Sequence, residues 1–216
     1  MFLRLSLLFV VSVMPFRALA QDSTRALEQR LKSNPNDVAV LMELGRMYYD
    51  MASAGKNDAI EKGVRCFDRL LQLDSTNAIA LAYRGSMWRL RGLDSWWPPT
   101  KLNCLNRGTA ELDHAVDLAP MDMMVRLIRG INELNLPESI GRVPVALEDF
   151  IVLLRHPDFP EQTRELKAVI YFYGGISHKR ADDYSGARVL FKKAISILPG
   201  SEFAKRAQDA LDNLGS

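Results

Sequence analysis

The sequence predicts an all-α protein built from consecutive antiparallel helix pairs. Three observations carry this. Tyr171-x2-Gly174-Gly175-x2-His178, followed by Ala187, Phe191, Ala194 and Pro199, has the spacing of two helices that cross closely. Gly175 brings no side chain to the crossing, Ala187 is the small residue facing it, and Phe191 fills the space beside it. Pro199 ends the second helix because it has no N–H to donate. Weaker copies of this pattern recur upstream, around Gly45, Gly85 and Gly130. No stretch after residue 20 shows the alternation of a β-strand.

The chain begins with a segment that has a different logic. Arg4 is a short basic start, Leu5 to Met14 is an apolar run, Pro15 breaks it, and Ala18-Leu19-Ala20 is a small-x-small cleavage site. This is the pattern of a secretory signal peptide over residues 1–20, with an apolar run too short to span a bilayer. The mature chain is then expected to begin at Gln21 and to be exported, to the periplasm or as a secreted protein. No membrane span is expected after cleavage. Charge follows from the cut. The full chain has 28 Lys and Arg against 26 Asp and Glu, and Arg4 and Arg17 leave with the signal, so the mature chain is neutral. A neutral chain without a basic block offers nucleic acid no electrostatic footprint. Residues 21–216 are enough for one helical domain with a substantial core.

Taken in order, Asp22 or Ser23 can cap a helix running to about Lys32, stopped by Asn34-Pro35-Asn36. The first full repeat starts near Val38 with Leu41-x2-Leu44-Gly45-x2-Tyr48, and its second helix carries Gly63, Phe67 and Leu70. Six extra residues fall in Met51 to Ile60, where Gly55-Lys56-Asn57-Asp58 has loop chemistry. The second repeat pairs Leu81-x2-Arg84-Gly85-x2-Trp88 with Gly108, Leu112, Ala115 and Pro120. Eleven extra residues separate its helices and include Trp96-Trp97-Pro98-Pro99, with Thr100 as the expected cap of a helix to Leu118. The third repeat keeps Gly130, then Ala146, Phe150 and Leu153, and closes at Pro157 and Pro160. A polar linker, Glu161 to Glu165, leads to the regular repeat from about Ala168. Ser201 to Leu214 reads as a final amphipathic helix stopped by Gly215.

These spacings resemble the tetratricopeptide repeat, W-x2-L-G-x2-Y followed by A-x3-F and a closing proline, over about residues 22 to 214. The resemblance implies a right-handed α-solenoid of about four TPR-like helix pairs with N- and C-terminal capping helices. A single pair cannot bury its apolar face, so neighbours stack. Cys66 and Cys104 fall on the second helices of adjacent repeats. The register sets them about two turns, ~10 Å, apart, beyond a disulfide's reach. They are expected as small buried hydrophobes.

The resemblance also implies a function. Related repeat proteins hold peptides in a concave groove lined by the first helices. Here the corresponding positions are Met42, Glu43, Arg46 and Tyr49; Tyr83, Ser86 and Arg89; Met124, Leu127, Ile128, Ile131 and Leu134; and Val169, Phe172, Tyr173, Ile176, Lys179 and Arg180. Apolar, aromatic and methionine-bearing with a basic edge, such a groove suits an apolar or amphipathic helix or an extended peptide. The Asn residues with which some relatives clamp a peptide carboxylate are missing, so that activity is not expected. The alternative is that these stripes are ordinary core, or that the chain's own end folds into the groove.

Two departures from the pattern stand out. Arg84, Arg126 and Arg129 occupy places usually held by packing residues, and register brings them near one another. Buried guanidinium groups need acids or solvent, and Glu111, Asp113, Asp117 and Asp149 are the candidate partners. The cluster is read as a structural network or as an anion site. Trp96 and Trp97, with the prolines, read as a stiff amphipathic loop, either a lid or a partner contact.

Chemistry is not expected. His114, His156 and His178 have no metal-ligand spacing, and neither a phosphate-binding glycine loop nor a nucleophile elbow is present. No cofactor is expected. The sequence therefore predicts a non-enzymatic scaffold or adaptor of the cell envelope whose partner is another protein or peptide. The alternatives are a small-ligand or lipid carrier, or a chaperone for unfolded clients.

Overall fold

The computed structural model describes residues 16–214, and among these the regular structure is helical without strands. The expected signal peptide lies mostly outside the described residues, as does Gly215. The helices fall into two compact units, Met1–Pro120 and Met121–Ser216.

The first unit holds α1 (Phe16–Ser33), α2 (Val38–Ser53), α3 (Asp58–Leu73), α4 (Ala78–Asp94) and α5 (Pro98–Leu118). Helix α1 does not start at Asp22 or Ser23 but runs through them. Arg17-Ala18-Leu19-Ala20-Gln21 are strong helix formers, so nothing upstream stops propagation. Leu27 is buried, and the Tyr48 hydroxyl of α2 donates to the Glu28 carboxylate of α1. Both insertions are absorbed mainly by longer helices rather than by loops. The turn between α2 and α3 is residues 54–57, and that between α4 and α5 is residues 95–97. Helix α5 begins at Pro98, not after Thr100, with the two prolines in its first turn, where a missing N–H costs no intrahelical bond.

The second unit holds α6 (Met123–Leu134), α7 (Val143–Arg155), α8 (Arg164–Arg180), α9 (Tyr184–Ile197) and α10 (Glu202–Asp212), with 3₁₀ turns at Glu138–Ile140 and Phe159–Glu161. The expected linker is shortened. Thr163 caps α8, and the first helix of the regular repeat starts at Arg164 rather than near Ala168.

The glycines set the packing within each pair. A Cβ on Gly45 would lie 2.7 Å from the Phe67 ring, and one on Gly175 would lie 2.5 Å from the Phe191 ring. Each phenylalanine is fully buried and fills the hollow its glycine leaves. The α4–α5 pair meets backbone to backbone. There Gly85 and Gly108 face one another, and a Cβ on Gly108 would meet the Gly85 carbonyl oxygen at 2.6 Å. The first helices are also capped alike. Asp37, Asn77, Asp122 and Thr163 each accept from the backbone N–H three residues on, which satisfies one of the orphan donors of a helix start.

The regular repeat carries an additional cap. Asp183 accepts from the Gly186 N–H at 2.9 Å and the Ser185 hydroxyl at 2.9 Å, and lies 2.7 Å from His178 Nδ1. The Gly186 bond, then His178 and Ser185, hold its pKa at about 2, below the ordinary 3.8. A carboxylate with a folded pKa below its unfolded one stabilises fully above the unfolded value and ceases to do so as pH falls through the folded one. The melting temperature of the wild type is therefore expected to drop more steeply between about pH 4 and pH 2 than that of Asp183→Asn, followed by circular dichroism. Equal slopes would remove the charged cap from the account.

Candidate functional site

The sequence-predicted groove residues have different surroundings in the two units. In the first, Met42 and Arg46 project from α2 and Tyr83 from α4. Tyr49 and Tyr83 are buried and meet edge to face, with ring centroids 5.3 Å apart, and Tyr83 stacks on Phe67 at 5.4 Å. Above this aromatic floor the surface is open. Met42 is half-buried, and Arg46 and Asp50, one turn apart on α2, are exposed. The protein around the Asp50 carboxyl displaces enough water to push its pKa up to about 6, with the Arg46 charge pulling the other way. Burial raises the Tyr83 hydroxyl too, and Arg46 again opposes the shift. Arg46 thus acts on both an acid and a phenol while staying accessible. Asp50 was not singled out in the sequence, although its place four residues after Arg46 puts it on the same helix face. Arg89 is buried further along α4 and donates to the Thr109 hydroxyl at 2.8 Å.

In the second unit most of the apolar positions are closed. Leu127, Ile131, Phe172 and Tyr173 are buried. Phe203 of α10 lies 5.7 Å from the Phe172 ring and 6.0 Å from the Tyr173 ring, and the Arg206 guanidinium sits over Phe172 at 4.4 Å. The C-terminal helix therefore covers the aromatic pair, in keeping with the reading in which the chain's own end occupies this stretch. Tyr173 packs on Phe150 from the other side, at 6.3 Å. Ile176 and Lys179 remain half-exposed.

The three arginines have separate sets of partners. Arg84, in the first unit, binds Glu111 and Asp68, both at 2.9 Å. Arg126 and Arg129, in the second, converge on one carboxylate. Asp149 is completely buried and accepts from Arg126 Nη1 at 2.8 Å and from Arg129 Nε and Nη2 at 2.8 Å each. Glu148 adds a longer contact to Arg126 at 3.3 Å. Burial pushes the Asp149 carboxyl up, and Arg129 and then Arg126 pull it back. A further ion pair, buried on its acidic side, was not anticipated. Glu133, which stands where the repeat pattern has an aromatic residue, is held by Arg142 through two bonds of 3.0 and 3.1 Å. The position was visible as a departure from the pattern; its partner, nine residues on at the start of α7, was not.

Trp96 and Trp97 lie in the α4–α5 turn, exposed, with ring centroids 5.6 Å apart. Cys66 and Cys104 are buried and not disulfide-bonded, and burial pushes the Cys66 thiol up to about 11. A shallow cavity of about 290 Å³ lies between α1, α2 and α3, floored by Leu41 and Leu44 and rimmed by Glu28, Lys62 and Arg65. Among the described residues, no group of three or more His, Cys, Asp or Glu is placed to hold a metal ion. No helix among them is long and apolar enough to cross a membrane.

Consecutive antiparallel helix pairs, with glycine facing phenylalanine in three of them and an amphipathic helix closing the second unit, define an all-α solenoid of the tetratricopeptide-repeat type. Solved structures agree on this fold. TTC0263, a thermophilic TPR protein of Thermus thermophilus, aligns over 91% of this chain and 93% of its own, at 17% identity and a TM-score of 0.69. The RS-1 ArsTM double mutant of MamA aligns over 90% of each chain at 18% identity and a TM-score of 0.52. A second MamA structure covers 92% of this chain and 99% of its own at 19% identity and 0.50. No protein-family model and no curated protein sequence matches the chain.

Proposed function

We propose that the chain is a non-enzymatic scaffold or adaptor of the cell envelope that holds a peptide or helix of another protein. The observation that carries this reading is the open face of α2. Arg46 and Asp50 stand exposed over the buried Tyr49–Tyr83 pair, with Met42 beside them. The buried aromatic pair holds the helix face in place, methionine adapts to varied side chains, and an opposite-charge pair one turn apart sets the register of a polar partner. The TPR-type fold supports the reading because stacked helix pairs present their first helices as a continuous surface. Residues 1–20, with the pattern of an export signal, support placement in the periplasm or outside the cell.

Peptides selected from a random display library on the immobilised chain test this. Selected peptides are expected to bind with micromolar affinity, and Arg46→Glu is expected to weaken them by about tenfold, read by fluorescence anisotropy. Because Arg46 also offsets the charge of Asp50 one turn on, an unchanged melting temperature of Arg46→Glu is the control for its fold. If no peptide survives selection, or if wild type and Arg46→Glu bind the survivors equally, the assignment of this face is wrong.

A further inference from the structure

Where α4 passes into α5, the first unit ends in an apolar tip. Trp96 is 87% exposed and Trp97 52%, and Leu93 and Leu102 flank them at 60% and 58%. Helix α5 has 21 residues against 16 in α3. The excess adds about 7.5 Å of helix. Asn57, in the α2–α3 turn, donates to Asp94 at the end of α4, so the neighbouring pair reaches that far, and the residues beyond it stand uncovered. Pro98 and Pro99 fix their own φ angles just after the tryptophans, so presenting the two indoles costs little conformational entropy.

Past Asp94, which Asn57 engages, the charge of the tip is basic. Ser95 to Ala110 contains no Asp or Glu and two bases, Lys101 and Arg107. Arg107 is engaged by Glu111 at 3.1 Å and stacks on Trp88 at 3.8 Å. Lys101 is exposed one turn past Trp97.

We propose that this tip docks the protein onto an anionic membrane surface. The two indoles, Leu93 and Leu102 enter the boundary between headgroups and acyl chains, and Lys101 pairs with lipid phosphate. Indole has an apolar body and a single N–H donor, which suits it to a boundary that is dry on one side and wet on the other. The acid-free stretch matches the negative potential of an anionic leaflet. The rings lie 5.6 Å apart and are tilted by 56° to each other rather than stacked. The proposal stands apart from the groove reading, since it uses none of the same residues.

The test uses the full chain with vesicles of phosphatidylcholine alone, or of phosphatidylcholine and phosphatidylglycerol in equal parts, prepared with and without brominated acyl chains. Anionic vesicles are expected to shift the tryptophan emission to the blue, and brominated lipid to quench it. Trp96→Ala with Trp97→Ala is expected to lower partitioning about tenfold or more at an unchanged melting temperature. Lys101→Glu, which keeps both indoles, is expected to weaken binding to the anionic vesicles about fivefold or more and leave the neutral ones unaffected. Equal partitioning of wild type and the double tryptophan variant would overturn the proposal by placing vesicle binding elsewhere on the chain. Emission that no vesicle moves but a soluble protein fraction shifts would overturn it in favour of a protein contact.

Discussion

Replacing Asp149 by alanine is expected to lower the unfolding free energy by about 3–5 kcal/mol, measured by urea denaturation. Asp149 is fully buried, and its two oxygens take three hydrogen bonds of 2.8 Å from Arg126 and Arg129. Truncation removes the buried carboxylate that two guanidinium groups, each about nine-tenths buried, share, while Arg126 keeps its longer contact to the exposed Glu148. Their desolvation was the unfavourable half of the interaction and remains after the favourable half is gone. Removing every charge at the same place has the opposite consequence. Converting Asp149 to leucine together with Arg126 and Arg129 to methionine is expected to recover most of the lost stability, because a well-packed apolar group of similar volume often equals a buried ion pair. A single alanine variant within about 1 kcal/mol of wild type would show that water reaches these arginines and that the network does not hold α6 to α7.

Gly108→Ala is expected to destabilise the first unit by about 2 kcal/mol or more. The sign is the informative part. Alanine is favoured over glycine inside a helix by about 1 kcal/mol, so an unconstrained Gly108→Ala would stabilise α5. Here the new Cβ would lie 2.6 Å from the Gly85 carbonyl oxygen and 2.7 Å from Arg89 Cγ. The first neighbour is helix backbone and cannot rotate away, so α4 and α5 must move apart. Ala110→Gly, at an exposed position on the same helix, is the control and is expected to cost only the propensity difference of about 1 kcal/mol. A stabilising Gly108→Ala would mean that the two helices do not approach as closely as the glycine pair allows.

These two sites differ in how far the sequence revealed them. The glycine crossings were legible because steric demands leave few substitutes: where backbones nearly touch, only glycine fits, and where glycine leaves a hollow, phenylalanine fills it. Gly45 with Phe67 and Gly175 with Phe191 could therefore be read from spacing alone. The α4–α5 boundary could not. Proline is as compatible with a loop as with a first helical turn, so Pro98 and Pro99 did not reveal that α5 begins on them. Asp149 was among the expected arginine partners, but Asp68 and Glu148 were not, because the rotamers of long side chains decide which of several nearby acids is reached. The covering of Phe172 and Tyr173 by Phe203 and Arg206 was legible only in half. The apolar stripe of α10 showed that it must pack, and nothing in the stripe named the surface. For the same reason the open face at Arg46 and Asp50 emerged only once burial separated it from the closed positions on α8.

The scaffold reading is tested most directly by amide hydrogen exchange of the chain with and without a bound, library-selected peptide. Slowed exchange is expected in α2 and α4, centred on the turns that carry Arg46, Asp50 and Tyr83, with α8 and α10 unchanged. Protection confined to α8 and α10, or none in α2 and α4 at saturating peptide, would contradict it.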